Sequence, residues 1–242
     1  MPDRPNRAKL RLRPNPEGLW NEEKGPDPRL SRSEIVEAAL ELLEKDGFEA
    51  FSMRGLATAL NIKSPSLYWH FRSKDELFNL VVDAVLGECR LPAADEGDWA
   101  ERLTSVAREI RRVLLAHPAA TRLLTGRVPL GPNWLRLAEY VIGTLRRAGF
   151  DDRLTNICYL VLLYYAVGFV TQEISFGTGA EARERLDQMQ EFVQHLPPEQ
   201  YPNLIAVTAG FNERGLEDRF EIGLSGVIGG FRAELAKAAG PA

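Results

Sequence analysis

The sequence predicts an all-α fold made of a small N-terminal helical domain and a larger C-terminal helical domain. Apolar residues recur every three or four positions along most of the chain, which is the period of one helix face, and no segment alternates as a half-buried strand does. Acidic residues and Pro92 interrupt this pattern between residues 91 and 97. We therefore place the domain boundary there, with residues 30–90 before it and residues 91–242 after it.

The first and the fourth helix of the N-terminal domain carry the same start signal. Ser31 and Glu34 have the spacing of a capping box, in which each side chain accepts a hydrogen bond from the other residue's backbone. Ser73 and Glu76 repeat that spacing. Gly47 ends the first helix, because glycine readily adopts the left-handed conformation that follows many helices.

The two helices between them are short and are joined by one tight turn. Ser52 caps a helix over residues 53–60, and Asn61 tolerates the turn that follows. Ser64 is expected to cap the next helix with Pro65 at its first position, where the missing N–H costs no hydrogen bond. Two short helices around a tight turn are the layout of a helix-turn-helix, which binds DNA through its second helix.

The C-terminal domain is expected to be helical throughout. Six further helices are predicted at residues 99–116, 119–125, 133–148, 152–176, 180–195 and 212–239. Residues 196–209 contain three prolines and are expected to form a loop. We expect His117 to cap a helix end, and Cys89 and Cys158 to be buried thiols rather than disulfide partners or metal ligands. Neither a metal site nor a cofactor is expected.

The composition indicates a soluble globular protein with unevenly distributed charge. Of the 242 residues, 45% are hydrophobic and 26% charged. No uninterrupted apolar stretch reaches the about 18 residues that a membrane span needs. The net charge is −4, yet residues 1–16 hold five basic residues against one acidic residue, and residues 54–74 hold four basic residues and no acidic one. These two segments are candidate footprints for an anionic partner such as DNA.

Five segments within residues 30–86 form one recognisable pattern: IVEAALELL at 35–43, GF at 47–48, SMRGLA at 52–57, LNI at 60–62 and PSLYWHFRSKDEL at 65–77. This pattern resembles the tetracycline-repressor (TetR) family of transcriptional regulators. The resemblance implies that the second helix of the motif lies in the major groove of double-stranded operator DNA, where side chains read base edges.

The same resemblance implies which residues contact the operator. The residues at or beside base edges are Arg54, Ser64, Pro65, Ser66 and Trp69. The phosphate contacts are Tyr68, His70 and Lys74. Lys63, in the basic segment 54–74, is included as a DNA-binding residue. The alternative for Tyr68 and Trp69 is that they pack inside the small domain.

Residues 1–29 are expected to form a flexible basic arm, because six prolines prevent a continuous helix. The arm resembles N-terminal extensions of some family members, which follow the minor groove of DNA, where arginine is favoured. Four arginines are therefore expected to add affinity with little base specificity: Arg4, Arg7, Arg11 and Arg13. The alternative is a solvated tail.

The C-terminal domain resembles, more weakly, the tetracycline-repressor branch of this family, in residues 91–94, 99, 111–115 and 223–231. This implies a small-molecule effector. The magnesium-binding histidine of that branch has no counterpart near residues 123–125, so a magnesium–tetracycline effector is not expected. Candidate ligand contacts, with core packing as the alternative for each, are Trp134, Tyr140, Asn156, Tyr159, Tyr164, Phe169, Gln172 and Phe176.

Two apolar stripes suggest how subunits could associate. The stripe on the last helix comprises Phe220, Leu224, Val227, Ile228, Phe231 and Leu235. The stripe on the long helix before it comprises Leu154, Val161, Leu162, Tyr165, Phe169 and Ile174. Because the last helices of two subunits pack together in this family, we expect a homodimer through these helices, with packing inside one chain as the alternative. A dimer suits a palindromic operator.

The favoured function is a homodimeric repressor that a small, largely apolar molecule releases from a palindromic operator. An antibiotic or polyketide-like compound would suit such a site. The alternative is a constitutive DNA-binding regulator without a functional pocket. An enzyme is not expected, since no nucleophile–base pair, carboxylate pair or phosphate-binding loop is apparent. The basic N-terminus lacks the apolar stretch of a signal peptide, so a cytoplasmic location without membrane contact is expected.

Overall fold

The computed structural model describes residues 30–124, 130–177, 179–208 and 215–238, and the regular structure in these ranges is entirely helical. The predicted all-α class is confirmed. The helices in these ranges are α1 Arg32–Asp46, α2 Met53–Ala59, α3 Ser64–His70, α4 Lys74–Gly87, α5 Trp99–Ala116, α6 Pro118–Leu123, α7 Pro132–Arg147, α8 Asp152–Ser175, α9 Gly179–Gln194, α10 Pro202–Thr208 and α11 Leu216–Ala238. The arm at 1–29, with Arg4, Arg7, Arg11 and Arg13, lies outside the described residues.

Local capping explains where several helices begin and end. At α1, Ser31 Oγ accepts a hydrogen bond from Glu34 N at 3.2 Å, and Glu34 Oε2 accepts one from Ser31 N at 2.6 Å, which confirms the predicted capping box. Gly47 follows α1 with a φ of 81°, in the left-handed region. Asn61 has a φ of 53° between α2 and α3, as the predicted tight turn requires.

Three details differ from the sequence-based expectation. Lys63, not Ser64, precedes α3, so Ser64 is its first helical residue and caps nothing through its side chain. The box at α4 forms only in half, because Ser73 Oγ accepts from Glu76 N while the Glu76 carboxylate bonds elsewhere. The expected loop at 196–209 contains α10, which begins at Pro202, and proline is well tolerated at a first helical position.

Helix α4 lies between the two parts of the molecule. It packs against α1 on the N-terminal side and against α5, α6 and α7 on the C-terminal side, and α6 also contacts α1. In the larger part, α5 and α8 form the central pair, with α7 and α11 beside them, while α9 packs against α10. Helix α4 therefore connects α1–α3 to the larger part, and the α1–α6 contact is a second connection between them.

Helix α8 is the long central element of the larger part. By length and apolar composition it is the one candidate for a membrane span among the described helices. It contacts α5, α6, α7 and α11, which is the arrangement of a helix in the core of a bundle. Cys158 on this helix and Cys89 after α4 are buried free thiols, as predicted. Burial raises the pKa of each thiol to about 11, so both are protonated at neutral pH.

The apolar face predicted on the last helix lies inside the chain. Its residues Phe220, Leu224, Ile228 and Phe231 are buried in the core. Packing within one chain, the alternative for this stripe, accounts for them. The exposed side of α11 instead presents Ile222 and three glycines, and this side is considered below.

Candidate DNA-binding surface and ligand cavity

Helices α2 and α3 form a compact helix-turn-helix. Leu56, Ala57 and Leu67 are buried between the helices. The turn is closed by backbone hydrogen bonds, including Ile62 N to Ala57 O at 2.9 Å. The positive φ of Asn61 redirects the chain within two residues. These buried apolar contacts and the tight turn thus fix the angle between the two helices.

The outer face of α3 is unusually rich in exposed aromatic surface. Tyr68 is 55% exposed and Trp69 is 68% exposed, which shows that neither packs inside the small domain. Lys63, directly before this helix, and Pro65 on it are exposed, Ser64 and Ser66 are half-buried, and Arg54 is exposed in the first turn of α2. Large apolar rings in water without a covering group are typical of a binding surface.

His70 and Lys74 are placed differently from the other predicted DNA contacts. His70 is buried, and burial followed by the nearby Arg32 charge lowers its pKa, so its imidazole is neutral at neutral pH. Lys74 Nζ donates to Phe51 O at 2.9 Å. The same ammonium lies 5.1 to 5.6 Å from the ring centroids of Phe48, Phe51 and Phe78. The Lys74 charge is therefore directed toward the domain's own aromatic residues.

A polar network fixes the end of α3 against α1 and α4. The Glu76 carboxylate accepts from Arg72 N at 2.8 Å and forms an ion pair with Arg32. The Arg32 guanidinium also lies 5.1 Å from the centroid of the Phe71 ring. The sequence predicted only a local cap for Glu76. Its actual role is to join three segments that hold the recognition helix in place.

A cavity of about 450 Å³ lies between α8 and α11. Its lining residues are Tyr164, Tyr165, Gly168, Phe169, Gln172, Glu173, Phe176, Leu216 and Arg219. Four predicted ligand contacts, Tyr164, Phe169, Gln172 and Phe176, meet here. Sequence reasoning missed the other five. Leu216 and Arg219 come from α11, which only the fold brings beside α8, whereas Tyr165, Gly168 and Glu173 lie on α8 itself.

The cavity wall is aromatic, and its buried Glu173 carboxylate is paired with Arg111. Tyr165, Phe169 and Phe220 form a ring cluster with centroid separations of 5.3 to 6.0 Å, and Tyr165 Oη donates to Phe220 O at 2.6 Å. Glu173 accepts two hydrogen bonds from Arg111, at 2.7 and 2.9 Å. This pairing raises the pKa of Arg111, so the guanidinium stays charged. Such a site suits a largely apolar, aromatic molecule.

The other four predicted ligand contacts do not line this cavity. Trp134 is half-buried at the start of α7, and Tyr140 Oη donates to Pro92 O at 2.8 Å. Asn156 is exposed and Tyr159 half-buried near the start of α8, and a rise of 1.5 Å per residue puts Asn156 about 12 Å along the helix from Tyr164. In the described part of the chain, no group of three or more His, Cys, Asp or Glu residues is placed to hold a metal ion.

Two family matches cover most of the chain. Residues 35–81 match the bacterial regulatory proteins of the TetR family, and residues 91–235 match the tetracycline repressor-like C-terminal domain. An HTH-type transcriptional regulator of Saccharopolyspora erythraea is 40% identical over 146 residues, which are 60% of this chain and 62% of that protein. The class A tetracycline repressor from transposon 1721 of Escherichia coli is 31% identical over 84% of this chain and 90% of its own length.

Solved structures show the same architecture over nearly their full length. The TetR family protein ActR of Streptomyces coelicolor, in complex with actinorhodin, superimposes with a TM-score of 0.77 at 33% identity, covering 85% of this chain and 98% of that one. Apo ActR gives the same TM-score over 86% of this chain. The helix-turn-helix, the larger helical domain and these matches agree, and the chain belongs to the TetR family of DNA-binding transcriptional regulators.

Proposed function

We propose that this protein is a homodimeric repressor that binds a palindromic operator and is released by a small aromatic molecule. Residues 30–90 serve as the DNA-binding domain and residues 91–242 as the effector and dimerisation domain. The observation that carries the proposal is the exposed aromatic face of α3 on a rigid helix-turn-helix. The presence of actinorhodin in the ActR complex supports an aromatic effector.

The operator contacts follow from the exposed face. Trp69, with Arg54, Ser64, Pro65 and Ser66, reads base edges, while Tyr68 and Lys63 contact phosphates. His70 and Lys74, which face their own domain, act by holding this surface in shape. The arginines of the N-terminal arm add affinity along the minor groove.

The dimer is supported by an apolar surface that one chain leaves uncovered. On α8, Ile157, Val161 and Tyr164 are 48%, 39% and 67% exposed, one or two helical turns apart. On α11, Ile222 is 55% exposed, and a Cβ added at each of the exposed glycines 226, 229 and 230 would meet no atom within 4 Å. A second copy of the chain would cover this surface, and two copies would present two recognition helices to the two half-sites.

The DNA-binding part of the proposal is tested by selection from random-sequence duplexes. The selected pool should converge on a palindrome. Trp69→Ala should weaken binding to that palindrome by about fivefold or more, since a base contact contributes about 1–3 kcal/mol. Leu135→Ala, which removes an exposed apolar side chain from α7, is the control and should bind as the unmodified protein does. A pool without a palindrome would contradict the proposal.

The effector part is tested with actinorhodin as the first aromatic probe. It should release the selected duplex and raise the melting temperature of the protein. Phe169→Ala should weaken the release but keep duplex binding, because it removes an aromatic ring from the cavity wall and lies off the exposed stripe of α8. If a panel of aromatic polyketides neither binds nor releases the duplex, the protein is a constitutive regulator instead.

A further inference from the structure

Asp83, near the end of α4, is a buried carboxylate among apolar residues. It is 3% exposed, and the other buried residues of α4, a helix described in full, are all apolar. Its oxygens accept three hydrogen bonds from the start of α7. Trp134 N donates to Oδ1 at 2.9 Å, and Asn133 donates to Oδ2 through its backbone N at 3.3 Å and its Nδ2 at 3.1 Å.

This arrangement is a helix cap supplied by another helix. The first N–H groups of a helix have no partner within it, and their partial positive charge favours a carboxylate. The residue directly before α7 is Gly131, which has no side chain to offer. Asp83, 50 residues away from Asn133 in sequence, takes the capping role.

Gly131 is required by the close approach of Asp83. A Cβ built on Gly131 would lie 1.9 Å from Asp83 Cγ and 2.0 Å from Oδ1. The φ of Gly131 is −99°, which any residue can adopt. Glycine is therefore required because a side chain would collide with Asp83, not because of the backbone conformation. The carboxylate and the start of α7 therefore fit each other closely.

Burial makes this contact costly to break. Burial raises the pKa of Asp83, and the hydrogen bonds from Trp134 and Asn133 oppose that rise. A buried carboxylate that loses its donors is strongly destabilised, so displacement of either helix must carry the other with it. Because α4 packs on α1 and α7 packs on α8, the contact joins the DNA-binding part to the cavity-bearing helix.

A second carboxylate from the DNA-binding part lies close to the start of the preceding helix. Burial raises the pKa of Glu44 on α1, and the nearby His117 and the backbone N–H groups of Ala119 and Ala120 oppose that rise. His117, directly before α6, has Nε2 2.9 Å from Glu88 Oε1 and Nδ1 3.9 Å from Glu44 Oε1. Glu44 is 31% exposed in its side chain, so Asp83 is the more strongly constrained of the two.

We propose that Asp83 is a positioning residue that couples the effector domain to the operator-binding surface, by making the orientation of α4 and the start of α7 change together. This rests on the proposed function, because the coupling is between operator binding and the larger domain. Coupling is reciprocal, so operator binding must alter the start of α7 just as an effector alters the affinity for the operator.

Hydrogen exchange at the start of α7 tests this without an effector. The Trp134 amide bonds to Asp83, so its exchange rate reports the cap directly. In the full-length protein, saturation with the selected duplex should slow exchange of Trp134 about fivefold, the lower end of typical coupling between sites. In Asp83→Ala the duplex should leave this rate unchanged, and Asp83→Asn, which keeps an acceptor oxygen, should restore part of the response.

Two further variants separate coupling from stability. Asp151→Ala removes the cap of α8 inside the larger domain, where Leu154 N donates to Oδ1 at 2.7 Å, and it should keep the response of Trp134 to the duplex. Gly131→Ala should weaken duplex binding about tenfold through the clash with Asp83, and Asp83→Ala combined with Gly131→Ala should bind as Asp83→Ala alone does.

The outcomes distinguish the two proposals. Tight duplex binding with an unchanged Trp134 exchange rate, or with a full response in Asp83→Ala, would overturn the coupling and leave the proposed function intact. Failure of the unmodified protein to bind any selected duplex would overturn the proposed function and the coupling with it.

Discussion

Lys74 shows that a lysine beside the recognition helix can stabilise the DNA-binding domain instead of contacting a phosphate. A lysine at the start of a helix beside the recognition helix is well placed by sequence to contact a phosphate. In the structure its ammonium lies within 5.6 Å of the centroids of three phenylalanine rings and donates to Phe51 O. The favourable interactions are cation–π contacts and a hydrogen bond, which stabilise the domain itself.

Lys74→Met is therefore expected to lower the free energy of unfolding by about 1–2 kcal/mol, since a partly desolvated cation–π contact contributes up to about 2 kcal/mol. Chemical denaturation measures this, with Lys45→Met on the exposed side of α1 as the control. The slope of log affinity against log salt should stay unchanged. Unchanged stability together with a slope reduced by about 0.9 would show instead that Lys74 neutralises a phosphate.

At the scale of helices, caps account for most helix boundaries. The cap of α5 also makes the stability of the fold depend on pH. At α5, Asp98 Oδ1 accepts hydrogen bonds from Ala100 N and Glu101 N, each at 2.8 Å. The hydrogen bond from Glu101 N, followed by that from Arg232, lowers the pKa of Asp98. A carboxyl whose pKa is lowered on folding stabilises the fold above its unfolded pKa, and this contribution is lost as the pH falls through the folded pKa.

Asp98→Asn should accordingly destabilise the protein at pH 7, by about 0.5 kcal/mol because the site is exposed to solvent and one acceptor remains. The difference from the unmodified protein should shrink as the pH falls below the usual aspartate range of about 4. Urea midpoints measured across pH 3–7 test this, with Asp95→Asn as the control. A difference that persists at the lowest pH would show that the charge of Asp98 plays no part.

The sequence was most informative where structure is local. Ser31, Gly47 and Asn61 signal boundaries through their own backbone chemistry, and these were correct. Helix α10 was missed because the three prolines of residues 196–209 were taken as helix breakers, although Pro202 begins the helix. Asp83 and Glu76 could not be assigned, because each bonds to a segment that only the tertiary fold brings near.

The candidate sites also differ in how far the sequence predicts them. The sequence left open whether Tyr68 and Trp69 face outward, and His70, expected to contact DNA beside them, is buried. The cavity was predictable only in part of its α8 side, where Tyr164, Phe169 and Gln172 were expected and Tyr165, Gly168 and Glu173 were not. Leu216 and Arg219 belong to a helix some 40 residues later, and their place in the cavity depends on how α11 packs.

For the whole molecule, the uncovered surface on α8 and α11 predicts the state of association. Val161→Arg places a charge in the stripe of exposed apolar residues on α8, and it should convert the dimer to a monomer in light-scattering measurements. Leu135→Arg, at a similarly exposed apolar residue on α7, is the control and should remain dimeric. The monomeric variant should also lose tight binding to the palindrome. A monomeric unmodified protein would contradict this prediction.

The Asp83 carboxylate occupies the space that a Cβ at position 131 would need, so the residues at positions 83 and 131 should change together among related proteins. A larger residue at position 131 becomes tolerable only after the carboxylate at position 83 has been lost. Once it is lost, α7 needs a cap from its own chain, and serine, threonine, aspartate or asparagine at position 131 would supply one. Relatives should therefore fall into two groups, one with the Asp83–Gly131 pair and one with a small apolar residue at 83 and a capping residue at 131.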